Sequence, residues 1–407
     1  MKCRFCQTML HDTFLDLGSA PPSNAFLNAN ELNAPELHFP LRLFTCAECH
    51  LVQVDEVQKH DALFSSDYVY FSSYSRTWLA HAENYVNRAV ERLNLGSKSL
   101  VMEIASNDGY LLQYVKALGI PCVGIEPTAS TATAARKRGI ETLDHFFGKR
   151  FALDYTATRG QADLVIANNV LAHVPDLNDF VAGLGVVLSV QGVITVEFPH
   201  LLQLVAQRQF DTVYHEHFSY FSFHTVQRIF SSHGLRIWDV EELPTHGGSL
   251  RLWACHDNAS RTETPAVATL LAKERFAGML EIDYYHGFQP LADAIKNSFL
   301  AFLLESKRSG KQVVGYGAAA KGNTLLNYAG VRSDLLNYVV DASPHKQGRH
   351  LPGSRIAVVA ESHIRDTQPD FVVILPWNLR DEITEQLDYI RDWGGRFITA
   401  IPQLVVS

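Results

Sequence analysis

Ser99-Leu100-Val101-Met102-Glu103-Ile104-Ala105-Ser106-Asn107-Asp108-Gly109 sets an apolar run against a polar turn that closes on glycine. The run reads as a buried strand, the turn as a strand-to-helix junction, and Tyr110 to Leu118 as the helix that follows. The rhythm repeats downstream. Pro121-Cys122-Val123-Gly124-Ile125-Glu126 reads as a second strand, with a helix from about Ser130 to Arg138. Ala162-Asp163-Leu164-Val165-Ile166-Ala167 and Gly192-Val193-Ile194-Thr195-Val196-Glu197 read as two more. Apolar strands separated by helices imply an α/β fold, a parallel sheet covered on both faces. Upstream, Trp78, Ala82, Tyr85, Val86 and Ala89 fall at helical spacing between Arg76 and Leu93. The α/β unit is expected to span residues 67–255.

In such sheets ligands bind outside the carboxyl ends of the strands. Glu103, Ala105, Ser106, Asn107, Asp108 and Gly109 therefore mark a candidate cofactor turn. Its acids suit a ligand carrying an amino-acid group better than a pyrophosphate, which Glu103 and Asp108 would repel. Glu126, ending the second strand, is placed for a ribose diol, and Asn168 adds a polar group on the same edge. The combination looks like an S-adenosylmethionine site.

Two further units flank this one. Cys3-Arg4-Phe5-Cys6 and Cys46-Ala47-Glu48-Cys49 have the spacing of a structural zinc site, with two disulfides as the alternative. Leu41 to Phe44 and Leu51 to Val54 read as short strands around the second pair, within a module of residues 1–66. A helical stretch from about Thr264 to Lys307, inside a connector of residues 256–307, leads to a third unit at 308–407. There Lys311 to Gly315, Leu336 to Asp341 and Asp370 to Leu375 repeat the strand rhythm. Gly315-Tyr316-Gly317-Ala318-Ala319-Ala320-Lys321 matches G-x-G-x-x-A, and Asp341 sits at dinucleotide spacing, so an NAD-linked oxidoreductase is a rival reading.

The densest reactive segment is Tyr214-His215-Glu216-His217-Phe218-Ser219-Tyr220-Phe221-Ser222. If extended, His215 and His217 face one way, while a turn would let all four leading side chains converge. It could be a general acid/base set, a metal site using His215, His217 and His224, or an ordinary surface loop. His173 and His246 could join the same cleft, and Trp377-Asn378 could border the pocket at the Gly315 to Lys321 motif.

Taken together, the four-cysteine module, the Glu-Ile-x-Ser-Asn-Asp-Gly turn, the Tyr-x-Glu-His-Phe segment and the Gly-Tyr-Gly-Ala-x-Ala-Lys motif resemble the sugar C-methyltransferases that act on nucleotide-linked deoxysugars. The resemblance covers nearly the whole chain. It implies a Rossmann-like class I S-adenosylmethionine methyltransferase core with an N-terminal zinc-binding module and a C-terminal Rossmann-like domain. By resemblance His217 is the base, with Tyr214, Glu216, His173 and Tyr70 as its catalytic companions. Tyr70, Ser222, His246, Gly315, Tyr316, Lys321 and Asn323 then meet the sugar nucleotide, Lys321 and Asn323 facing its phosphates. Cys3, Cys6, Cys46 and Cys49 hold structural zinc, and S-adenosylmethionine is the cofactor. One departure is Ala105, where relatives usually carry glycine.

The chain has 407 residues, 47% of them apolar, with a formal charge of −8. That length implies several domains, and the acidic balance counts against a nucleic-acid partner, an RNA methyltransferase included. Met1-Lys2-Cys3-Arg4 has no apolar run behind it and no segment is long and apolar throughout. The expectation is a cytoplasmic monomer or homodimer without a membrane partner. A non-enzymatic zinc-ribbon protein on a decayed fold is the remaining alternative, which scattered placement of Tyr214, Glu216, His217 and His173 would favour.

Overall fold

The computed structural model describes residues 1–55 and 72–407, so Tyr70 lies outside the described residues. Three strands, β1 (Asp12–Ala20), β2 (Phe39–Thr45) and β3 (Val52–Val54), form an antiparallel meander. Leu41 and Leu43 of β2 are buried while Arg42 and Phe44 are partly exposed, the period-two alternation of a half-buried strand. Cys46 to Cys49 makes the turn from β2 to β3. Helix Arg76–Leu93 starts where Ser75 Oγ accepts the Trp78 N–H at 3.2 Å, and ends at Asn94 in the left-handed conformation. Its inward residues are Ala82, Tyr85, Val86 and Ala89, as their spacing predicts.

The central sheet contains β4 (Val101–Ile104), β5 (Cys122–Ile125), β6 (Glu141–Leu143), β7 (Ala162–Asn168) and β8 (Leu188–Pro199), all parallel. After β8 the chain makes a two-residue strand, β9 (Ser219–Tyr220), that pairs with β3 and completes the N-terminal sheet in the order β1-β2-β3-β9. It then returns as β10 (Leu235–Leu243) and β11 (Ser249–His256), which extend the central sheet antiparallel, in the order β10-β11-β8-β7-β4-β5-β6.

The long helical stretch expected over 264–307 is broken into three helices, Pro265–Phe276, the single turn Asp283–His286 and Phe288–Arg308. Gly278, at φ 91°, ends the first, and Met279 N–H bonds back to Glu274 C=O. The chain then forms β12 (Val313–Tyr316), β13 (Val339–Val340), β14 (Val358–Val359), β15 (Phe371–Ile374), β16 (Arg396–Thr399) and β17 (Val405–Val406), in the order β14-β13-β12-β15-β16-β17. Only β17 runs antiparallel.

The cores cross the boundaries between sheets. Phe14, Leu41 and Leu43 pack in one apolar cluster with Phe210, Val213 and Phe218 and with Phe288, Val313 and Leu325. Cys3, Cys46 and Cys49 share another with Phe221, Phe223 and the central sheet. Among the described residues no helix is long and apolar enough to cross a membrane.

Candidate active site

The cofactor turn follows β4 as its sequence implies, in an unusual backbone. Ala105, Asn107 and Gly109 all have positive φ, at 55°, 50° and 77°. Gly109 suits its place, because a Cβ at that φ would be strained and would meet Ile140 Cδ1 at 2.4 Å. The turn is tied to β5 through Glu126, whose carboxylate accepts the Asn107 and Thr128 N–H groups, each at 2.9 Å. Both acids, Glu103 and Asp108, present less free negative charge at this turn than their residue types imply. Asp108 is paired with Arg138 at 3.3 Å and with Ser73, so its charge is compensated. Glu103 is buried, and desolvation together with the Glu126 charge holds its carboxyl well above the usual carboxylate range.

The Tyr214–His217 segment is a turn, closed by the His217 N–H on Tyr214 C=O at 3.0 Å. It brings two of the four side chains together. Tyr214 Oη lies 2.8 Å from His217 Nε2, and the His173 ring packs edge-on to His217 with centroids 4.6 Å apart. His173 Nδ1 donates to the Glu216 backbone C=O at 2.8 Å. The other two side chains turn away: His215 Nε2 meets the Phe39 and Pro40 carbonyls, while Glu216 accepts from Asn24 Nδ2 at 3.2 Å. Burial pushes Glu216 up to about 7.

His217 is held well below its ordinary range, first by burial and then by neighbouring His173, His246 and Lys321. The Thr212 backbone opposes that lowering, and Nε2 shares a hydrogen bond with the Tyr214 hydroxyl. Burial holds His173 and His246 down at about 4. A cleft lined by neutral imidazoles can accept protons at neutral pH. His246, with its own positive φ of 53°, packs tilted against Trp78 with ring centroids 5.2 Å apart, and Trp78 in turn lies 6.0 Å from Tyr110 beside the cofactor turn.

The C-terminal sheet turns its carboxyl edge toward this cleft. Trp377 Nε1 donates to Asp211 at 2.8 Å, and Thr324 Oγ1 donates to Val213 C=O at 2.7 Å. Lys321 reaches Asn378 Oδ1 at 2.7 Å and lies over the Trp377 ring. Asn323 is buried and donates to the Ser23 carbonyl at 2.7 Å, a tie to the N-terminal module. Gly315 lies inside β12, and Tyr316 packs on the far face of that sheet with Tyr338 and Ile374. Ser222 caps helix Phe223–Ser231 by accepting the Thr225 N–H at 3.1 Å. Asp341 accepts the Ala318 and Ser343 N–H groups and pairs with Lys346, so the ribose acceptor that a dinucleotide would need is committed to the turn.

Three family models match in series: "C-methyltransferase C-terminal domain" over residues 244–402, "Putative zinc binding domain" over 3–64 and "Methyltransferase domain" over 78–240. The C-methyltransferase NovU of Streptomyces niveus is 34% identical over 405 residues, covering 99% of this chain and 96% of that protein. The chain belongs to the C-methyltransferase family. It is an S-adenosylmethionine-dependent enzyme. Solved structures similar to part of it include the magnesium protoporphyrin IX methyltransferase of Synechocystis PCC 6803 with bound SAH, at 16% identity and TM-score 0.34 over 44% of this chain and 82% of that one. The PH0226 protein of Pyrococcus horikoshii OT3 is 14% identical, at TM-score 0.37 over 46% and 94%.

This C-methyltransferase fits both groups its family implies. At the carboxyl ends of β4 and β7, Glu103 Oε2, Ser106 Oγ, Asp108 Oδ1, Asn168 Oδ1 and Asn169 Nδ2 are buried without protein partners, a polar edge suited to a ligand. At the other end of the chain, the Sγ atoms of Cys3, Cys6, Cys46 and Cys49 all lie within 4.8 Å of one another and no disulfide joins them, as a closed four-thiolate zinc shell requires. Among the described residues no other His/Cys/Asp/Glu cluster could hold a metal. That sets aside the reading with His215, His217 and His224, because His224 stands over His50, away from the cleft.

Several participants carry no sequence motif. Glu197, at the end of β8, is buried and accepts from Arg251 at 2.8 Å, from Thr245 at 3.1 Å and from His81 at 3.0 Å, fixing the loop that carries His246. Asp211 and Trp78 are the others. Each is isolated in the sequence, and only tertiary folding reveals its neighbours.

Proposed function

We propose that the enzyme methylates C3 of a nucleotide-linked 4-keto-6-deoxyhexose through an enolate, with His217 as base. The observation that carries this reading is the His217–Tyr214 pair, a buried imidazole held neutral at neutral pH with its Nε2 2.8 Å from a phenol. Support for a sugar nucleotide comes from the sequence resemblance and from the second carboxyl edge, that of β12 and β15, facing the same cleft. S-adenosylmethionine, when bound along the β4 turn by Glu103, Ala105, Ser106, Asn107, Asp108, Gly109, Glu126 and Asn168, supplies an electrophilic methyl group.

The protein's own task is to make a ring carbon nucleophilic. The ketone at C4 acidifies the C3 proton, and His217 receives it. Because the Tyr214 hydroxyl occupies Nε2, that proton passes through Tyr214, which gives its own proton to His217 as it takes the one from carbon. His173, anchored by the Glu216 carbonyl, holds the His217 ring in place. Zinc braces the fold and meets no reacting atom.

The test is a mass-spectrometric screen for one added methyl group across TDP- and GDP-4-keto-6-deoxyhexoses. His217→Asn is expected to lower turnover by at least ~10³-fold while leaving S-adenosylmethionine binding measurable. Tyr214→Phe is expected to follow it closely, and normal turnover there would show that His217 takes the proton directly. Wild-type-like turnover in His217→Asn would end the assignment.

A further inference from the structure

An enolate places a full negative charge on the C4 oxygen, and the base His217 and two imidazoles near it, His173 and His246, are all uncharged at neutral pH. A cation enters this cleft from the C-terminal unit: Lys321, on the first turn of helix Ala320–Tyr328, lies over the Trp377 ring, which packs against Gly247 beside His246. Its ammonium has three protons to donate. Among the described residues Asn378 Oδ1 takes one, at 2.7 Å, and the Trp377 ring lies 4.7 Å below.

The counter-charge is arranged in an informative way. Asp211 is fully buried, and its Oδ2 accepts the Trp377 indole N–H at 2.8 Å while its Oδ1 has no protein partner. The indole stands between the two charges, its face toward the ammonium and its edge toward the carboxylate. Gly247 (φ 85°) packs against its ring so closely that a Cβ there would meet Trp377 Cη2 at 2.4 Å. A direct ion pair would quench the lysine, whereas here the carboxylate compensates the ammonium from a distance while the ammonium donates to Asn378.

Resting on the enolate reading above, we infer that Lys321 is the catalytic group that stabilises the developing C4 oxyanion, and that Asp211, acting through Trp377, is its positioning residue. As the C3–H bond breaks, the proton goes to the Tyr214–His217 pair. The bonding electrons form the C3=C4 double bond, and the carbonyl π pair moves onto oxygen, where the ammonium meets it. The lysine thereby serves the reacting ketone and not the diphosphate.

The experiment separates proton removal from methyl transfer. TDP-4-keto-6-deoxyglucose is incubated in D2O with the full-length zinc-loaded enzyme, and exchange at C3 is followed by proton NMR. TDP affinity is measured in parallel by calorimetry. Lys321→Met is expected to slow exchange and kcat by ~10²–10³-fold with TDP affinity and KM within ~threefold, and Lys321→Arg to regain at least ~tenfold. Asp211→Asn is expected to lower kcat by ~tenfold. It should also shift the alkaline limb of kcat to lower pH, because Asp211 raises the Lys321 pKa against the burial that lowers it, while neutral His217 and His246 add no opposing charge there. Weakened TDP binding with kcat retained in Lys321→Met would make the lysine a diphosphate ligand and overturn the inference, as would unimpaired exchange in that variant. Absence of C3 exchange in the wild-type enzyme would instead overturn the enolate reading beneath it.

Discussion

Ala105 shows how a single methyl group bears on the cofactor site. Its φ of 55° lies in the left-handed region, where a Cβ crowds the following carbonyl at a cost of about 1–2 kcal/mol. Glycine escapes that clash but loses about 0.5–1 kcal/mol of extra chain entropy on folding. Ala105→Gly should therefore stabilise the protein by a net ~0.5–1 kcal/mol, read from the urea midpoint at unchanged m-value. A lower midpoint would show that the turn has relaxed around the methyl group. Asn107, two residues on at φ 50°, needs no such exchange, since asparagine tolerates this region.

At the scale of elements, the zinc module acts on catalysis through β9. That strand is two residues long, yet it carries the chain directly from His217 into the N-terminal sheet, with Val52 opposite Tyr220 and the Val54 N–H on Phe218 C=O at 3.0 Å. Arg4, between the first two cysteines, donates to the same Phe218 carbonyl at 3.1 Å and to Val54 C=O at 2.8 Å. Loosening the thiolate shell therefore frees the far end of the catalytic turn. We expect Cys49→Ser, or chelation, to cut turnover at least ~tenfold and to raise amide hydrogen exchange at Val54 and Tyr220 well above that at β4. Full activity in metal-free protein would refute the link.

Little of that link was legible beforehand. The strands of the central sheet announce themselves as apolar runs, and the helix from Arg76 to Leu93 by its spacing, because burial imposes periodicity on long elements. A two-residue strand has no period, so Ser219-Tyr220 is silent in the sequence. Glu274 is silent too: from helix Pro265–Phe276 its buried carboxylate accepts the Phe223 and His224 N–H groups and meets His200 Nε2 at 2.7 Å, a cap supplied from a distant element. Tyr214, His217, Lys321 and the cofactor turn were legible because each sits in a clustered motif. Asp211, Glu197 and Trp78 were not, since their roles arise from contacts across the fold.

The whole molecule is tied together at every junction between its three sheets. The N-terminal module bonds to the C-terminal sheet through Leu27 and His350, through Asn323 on the Ser23 carbonyl, and through Arg355 on the Leu32 and Ala34 carbonyls at 2.5 and 3.1 Å. One apolar cluster runs through all three units, so exposing any one of them strips buried surface from the others at about 25 cal/mol per Å². Independent melting would leave Phe14, Phe210 and Val313 facing water in turn. The structure therefore predicts one cooperative unfolding transition for the zinc-loaded enzyme, seen as a single calorimetric endotherm whose van't Hoff and calorimetric enthalpies agree. Metal removal should lower that one transition as a whole, because zinc binds only the folded thiolate shell and its binding free energy is folding free energy for every unit coupled to it. A second endotherm that zinc leaves in place would instead mark the C-terminal sheet as a separate folding unit, and with it a cleft able to open between the two carboxyl edges.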